Sequence, residues 1–152
     1  MASESPRWSS HVLRQLQLVV PGGAITWWLD TISHLAATSE NVKGWGQLAT
    51  GSTALFGFLT VTLFLYILVT PWIHGVVLDF RSWRESGILS SVIPILTFSI
   101  VSGWLSMTIT LGQWTSMGYP KAIVGTSGLY ALTFGLLGLI PAPRIRSGRR
   151  SD

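Results

Sequence analysis

Residues 46–72 read GQLATGSTALFGFLTVTLFLYILVTPW, an unbroken stretch with no Asp, Glu, Lys or Arg. As a helix it would extend about 40 Å at 1.5 Å per residue, more than the roughly 30 Å of hydrocarbon in a bilayer. This stretch sets the solvent in which the rest must be read. Two more apolar runs of spanning length follow, at 88–111 and 122–140. A fourth, at 16–38, carries Pro21, Gly22 and Gly23 near its start and Asp30 and His34 within it.

Composition points the same way. Of 152 residues 48% are hydrophobic and 11% charged, against roughly 25% charged in ordinary soluble domains. The charges are crowded into short intervals between the apolar runs, which therefore read as loops. No cysteine is present, which excludes a disulfide framework, a thiolate metal site and a cysteine nucleophile. The expected class is all-α: a polytopic membrane protein forming one membrane domain over 1–152, with four transmembrane helices and no soluble domain longer than a tail.

Charge bias orients the spans. With four crossings one side receives Arg7, Arg14, Arg81, Arg84, Arg144, Arg146, Arg149 and Arg150, and the other only Lys43 and Lys121. Such asymmetry puts both termini on the cytoplasmic or equivalent positive side. A first segment lying on the surface would destroy the match. A cleaved signal peptide ending near Ala36-Ala37-Thr38 fits less well, because Pro21-Gly22-Gly23, Trp27-Trp28 and Asp30 interrupt its apolar core. The arginines of 144–152 form a basic tail suited to anionic headgroups, with no interleaved aromatics that would point to nucleic acid. Trp45, Trp72, Trp83, Trp114 and Tyr119 fall at or just beyond span ends and read as interfacial anchors.

Faces within the spans suggest how they pack. In the fourth, Gly125, Gly128, Ala131, Gly135 and Gly138 recur at steps of three or four; in the third, Ser99, Ser102, Gly103, Ser106 and Thr110 do the same. Small residues permit close helix approach where lipid supplies little hydrophobic drive, so these two faces are expected to meet. The first span should turn Gly23, Thr26, Trp27, Asp30, Ser33, His34 and Ala37 toward protein. Asp30 and His34, four apart, read either as a satisfied structural pair near the interface or as a proton relay. A metal or haem site has too few ligands, and no cofactor is expected.

Val124-Gly125-Thr126-Ser127-Gly128-Leu129-Tyr130-Ala131-Leu132, followed by Gly135-Leu136-Leu137-Gly138, resembles the Gly-x-Ser-Gly segment of the rhomboid intramembrane serine proteases. The likeness covers the C-terminal half. It implies Ser127 as nucleophile, with backbone around Gly125 and Gly128 as oxyanion donors. The chain departs from that pattern: no histidine follows His74, and 46–72 holds neither the family's histidine nor its asparagine. The resemblance therefore implies a relative without protease activity that binds membrane segments of other proteins. One rescue is an Asp30, His34, Ser127 relay, motivated by matched depth. An accessory subunit or assembly factor of a membrane complex, and a small membrane enzyme using Asp30 and His34, are the other functional readings. The expected partners are the bilayer and other membrane proteins, and no nucleic acid.

Overall fold

The computed structural model describes residues 8–41, 43–74, 84, 85, 87 and 89–140. All regular structure among them is helical: α1 (Trp8–Trp28), α2 (Thr31–Asn41), α3 (Trp45–His74), α4 (Leu89–Trp114) and α5 (Gly118–Gly138). Two helices, α3 and α4, are long and apolar enough to cross a membrane. The predicted tail at 144–152, and Arg81 and Trp83, lie outside the described residues.

The single helix expected over 16–38 is two. α1 starts earlier, at Trp8, and runs straight through Pro21. The break comes instead at Leu29 and Asp30, where Asp30 takes a left-handed φ of 47°. Aspartate is one of the few residues that tolerates that region. Its carbonyl then accepts the His34 N–H at 3.1 Å, which opens α2.

Contacts fix the helix directions. Gln15, Val19 and Ile25 of α1, and Leu29 just past its end, lie against Gly138, Gly135, Gly128 and Gly125 of α5 in turn, so the two run antiparallel. Trp104 meets Ser127 and Gly112 meets Tyr119, which makes α4 and α5 antiparallel. Thr53 pairs with Thr110 and Thr60 with Ser99, which does the same for α3 and α4. The four long helices thus alternate in direction. α2 fills the space between α1 and α3 and touches α4 and α5.

The small-residue faces find partners other than each other. The α5 glycines pack on α1: a Cβ on Gly128 would stand 2.5 Å from Ile25 Cγ2, and one on Gly135 2.6 Å from Val19 Cγ2. The α4 face packs on α3, where the Ser99 and Thr60 hydroxyls are 2.7 Å apart and Ser99 also donates to the Phe56 carbonyl at 3.1 Å. Between α4 and α5 the contact is larger in kind, with the Tyr130 hydroxyl set against Gly103. The short 115–117 turn brings α4 and α5 together at one end, where Tyr119 lies against Gly112, while the α5 glycines admit α1.

The distribution of side chains is inverted relative to a water-soluble protein. Among the described residues five hydrophobic side chains are buried, Leu89, Met107, Leu111, Met117 and Ala122, against ten threonines and Ser99. Trp27, Trp28, Trp45, Phe58 and Ile73 are 72–89% exposed. Only 17% of the most apolar stretch of α3, and 22% of that of α4, is covered by the rest of the protein. In water each large side chain left out would forgo about 1.5–3 kcal/mol of burial. The buried hydroxyls are mostly satisfied within their own helix: Thr26, Thr50 and Thr70 each donate to the carbonyl four residues back, at 2.8, 2.9 and 2.6 Å. Such bonds let threonine sit where no water reaches.

Candidate functional site

Asp30, His34 and Ser127 are not joined by any side-chain hydrogen bond. Asp30 is exposed, and its carboxylate accepts the Ser33 hydroxyl at 2.7 Å. His34 is half-buried, and its imidazole makes no hydrogen bond among the described residues. Ser127 is exposed, and its Oγ accepts the Trp104 indole N–H at 3.3 Å. A nucleophilic serine needs its base within hydrogen-bond reach, and the hydroxyl here faces an indole. Trp104 escaped the sequence reading. The signal was a tryptophan among Ser102, Gly103 and Ser106, since an indole N–H within an apolar span needs an acceptor.

The backbone around Ser127 offers no free donors. Gly125 and Gly128 lie in the interior of α5, beyond the four N-terminal amides that a helix leaves open. Their open Cα faces are occupied as well. Thr31 Oγ1 would stand 2.9 Å from a Cβ on Gly125, and Ile25 fills the space at Gly128. These glycines serve helix contact, as do Gly135 against Val19 and Gly138 against Gln15. Ala131 and Ser106 are half-buried, and the Ser106 carbonyl accepts the Thr110 hydroxyl at 2.7 Å.

The more distinctive feature lies between α3 and α5. A cavity of about 300 Å³ opens there, walled by Ala54, Gly57, Phe58 and Val61 of α3, by Leu129, Tyr130 and Phe134 of α5, and by Met107 of α4. Leu35 of α2 closes part of it. Its threonine hydroxyls are engaged elsewhere, Thr60 with Ser99, Thr53 with the Ala49 carbonyl and Thr133 with the Leu129 carbonyl, while the Tyr130 hydroxyl is set against Gly103. The cavity therefore asks for apolar contents. Beside it Gly51, Ala54 and Gly57 follow at i, i+3 and i+6, and nothing lies within 4 Å of a Cβ at Gly51 or Gly57. Phe134 in its wall also makes a ring contact with Phe64, with centroids 6.1 Å apart.

Among the described residues no group of three His, Cys, Asp or Glu side chains is placed to hold a metal. No protein-family model, curated protein or solved structure matches the chain.

Proposed function

We propose that this is a four-span membrane protein with both ends on the positive side, and that it binds a membrane-spanning segment of another protein at the α3–α5 cleft. Its role is recognition without proteolysis. The rhomboid-like character of the C-terminal half belongs to this proposal and rests on the motif at Gly125 to Gly128. Whether the partner makes the chain an assembly factor or a fixed subunit is a matter of stoichiometry.

One observation carries the binding role. A largely apolar cavity whose threonine hydroxyls are satisfied adjoins an uncovered small-residue strip, Gly51, Ala54 and Gly57. A partner helix can lay its backbone close on such a strip and insert large apolar side chains into the space beside it. The four-span reading is supported by the alternating directions of α1, α3, α4 and α5, by the eight-to-two split of basic residues, and by the inverted burial pattern.

The test is site-directed photocrosslinking in native membranes. A photoreactive phenylalanine analogue at Phe58, at the cavity mouth, is expected to give one discrete protein adduct. Gly57→Leu, which fills the cleft, should abolish the adduct, and the analogue at exposed Phe98 on α4 should not give it. Lipid adducts alone at position 58 would sink the proposal. Co-purification in fixed ratio would mark a subunit; a transient adduct would mark an assembly factor.

A further inference from the structure

We infer that the groove between the α1–α2 break and α5 is a binding site for a quaternary ammonium group, held by the Asp30 carboxylate and the Trp27 indole. The depth of this site in a bilayer rests on the four-span reading above, whereas the groove and its lining stand on their own geometry.

A second cavity, of about 570 Å³, opens at the break. Thr26 and Trp27 line it from α1, Asp30 from the break, Ile32 and Ser33 from the start of α2, and Leu132 from α5. It shares no lining residue with the α3–α5 cavity. The turn that ends α1 sets the aromatic and the acidic residue side by side, with the Asp30 N–H donating to the Trp27 carbonyl at 3.2 Å.

The carboxylate has no countercharge. Among the described residues Asp30 accepts the Ser33 hydroxyl at 2.7 Å and forms an ion pair with no basic side chain. Its chain neighbours Leu29 and Thr31 both meet Gly125, about 10 Å along α5 from the start of that helix. In the four-span arrangement an ionised group at that depth is costly unless a cation or water meets it.

The rest of the lining narrows the chemistry of the cation. The hydroxyls are already used, Thr26 donating to the Gly22 carbonyl at 2.8 Å and Ser33 to Asp30 itself. Ile32, Leu132 and the indole add apolar surface. A hard metal ion asks for a shell of several oxygens, and the groove supplies one carboxylate. A primary ammonium brings three N–H donors, of which one carboxylate cannot meet all. A quaternary ammonium brings a charge wrapped in methyl groups and no donor, and the face of a tryptophan attracts it. Trp27 is 89% exposed, so its ring is open to that contact. Choline lipid headgroups and small free cations both carry such a group.

The test uses the full-length chain in nanodiscs of digalactosyl diacylglycerol, a lipid with neither charge nor ammonium. Choline is the probe, followed by saturation-transfer difference NMR of its methyl protons. Saturable binding is expected, and the uncharged isostere 3,3-dimethylbutan-1-ol should bind about tenfold more weakly. Asp30→Asn should weaken choline by about tenfold, and Trp27→Ala by about threefold. Asparagine tolerates left-handed backbone as aspartate does, so Asp30→Asn keeps the break, and circular dichroism with a single elution peak checks this. No saturable binding, equal binding of the isostere, or unchanged binding in Asp30→Asn would overturn the site. In nanodiscs of phosphatidylcholine, loss of the choline signal supports the site as one for a lipid headgroup, and persistence supports it as one for a free cation. Sided labelling of positions 43, 85 and 121 in oriented vesicles separates the two ideas. The four-span pattern without choline binding sinks the site and leaves that reading standing; choline binding with a different pattern does the reverse.

Discussion

Gly22 of α1 and Gly128 of α5 cross backbone to backbone: a Cβ on Gly22 would stand 2.8 Å from the Gly128 carbonyl oxygen and 2.6 Å from the Leu132 nitrogen. Neither position has room for a side chain. Within the Pro21-Gly22-Gly23 run, which looks like a flaw in a spanning segment, Gly22 is where the backbone of α1 meets the backbone of α5.

Gly22→Val and Gly128→Val should therefore each destabilise the protein by about 1–3 kcal/mol, the cost of overpacking a tight contact. Denaturant titration in detergent, followed by circular dichroism, measures this. Gly51→Ala, where an added Cβ meets nothing within 4 Å, is the control and should stay within about 0.5 kcal/mol of the parent.

The 2.7 Å bond between Thr60 and Ser99 is the principal polar tie between α3 and α4. A double-mutant cycle with Thr60→Val and Ser99→Ala should return a coupling of about 0.6 kcal/mol, the average for such bonds within membranes. A coupling near zero would mean that each hydroxyl finds an equal partner once the other is removed, as Ser99 can with the Phe56 carbonyl.

Ser127→Ala should leave partner capture at Phe58 unchanged, as should Trp104→Phe. Their joint effect on stability should be below the sum of the single effects, because they share one hydrogen bond. Cleavage of a model transmembrane substrate that disappears with Ser127→Ala would contradict a binding role without proteolysis.

Single cysteines at Lys43, Glu85 and Lys121 test the crossing pattern in oriented vesicles. Four spans predict that an impermeant maleimide labels positions 43 and 121 from one side and 85 from the other. Equal labelling of 43 and 85 from one side would remove the second crossing.

The helices at 46–72, 88–111 and 122–140 were legible because each is a long uncharged run, and α3, α4 and α5 follow those runs to within a few residues. The break at Asp30 was not, because periodicity carries straight across it; only the backbone reveals that Ile25 and Leu29, and not the polar side with Trp27 and Asp30, face α5. Small-residue stripes were visible, yet which stripe meets which was not. Glycine in a sequence announces closeness without naming the neighbour. The chemistry inferred for Ser127 failed to assemble for a related reason: similar depth says nothing about rotation, and on α5 the serine turns toward Trp104.

Thr26, Thr50, Thr70 and Thr133 each satisfy their hydroxyl inside a single helix. In a bilayer a hydroxyl bonded this way would ask nothing of a sister segment, whereas Thr108 of α4 and Thr126 of α5, buried without a partner, would. Thr60 and Ser99 differ, because they find each other only after both segments are in place.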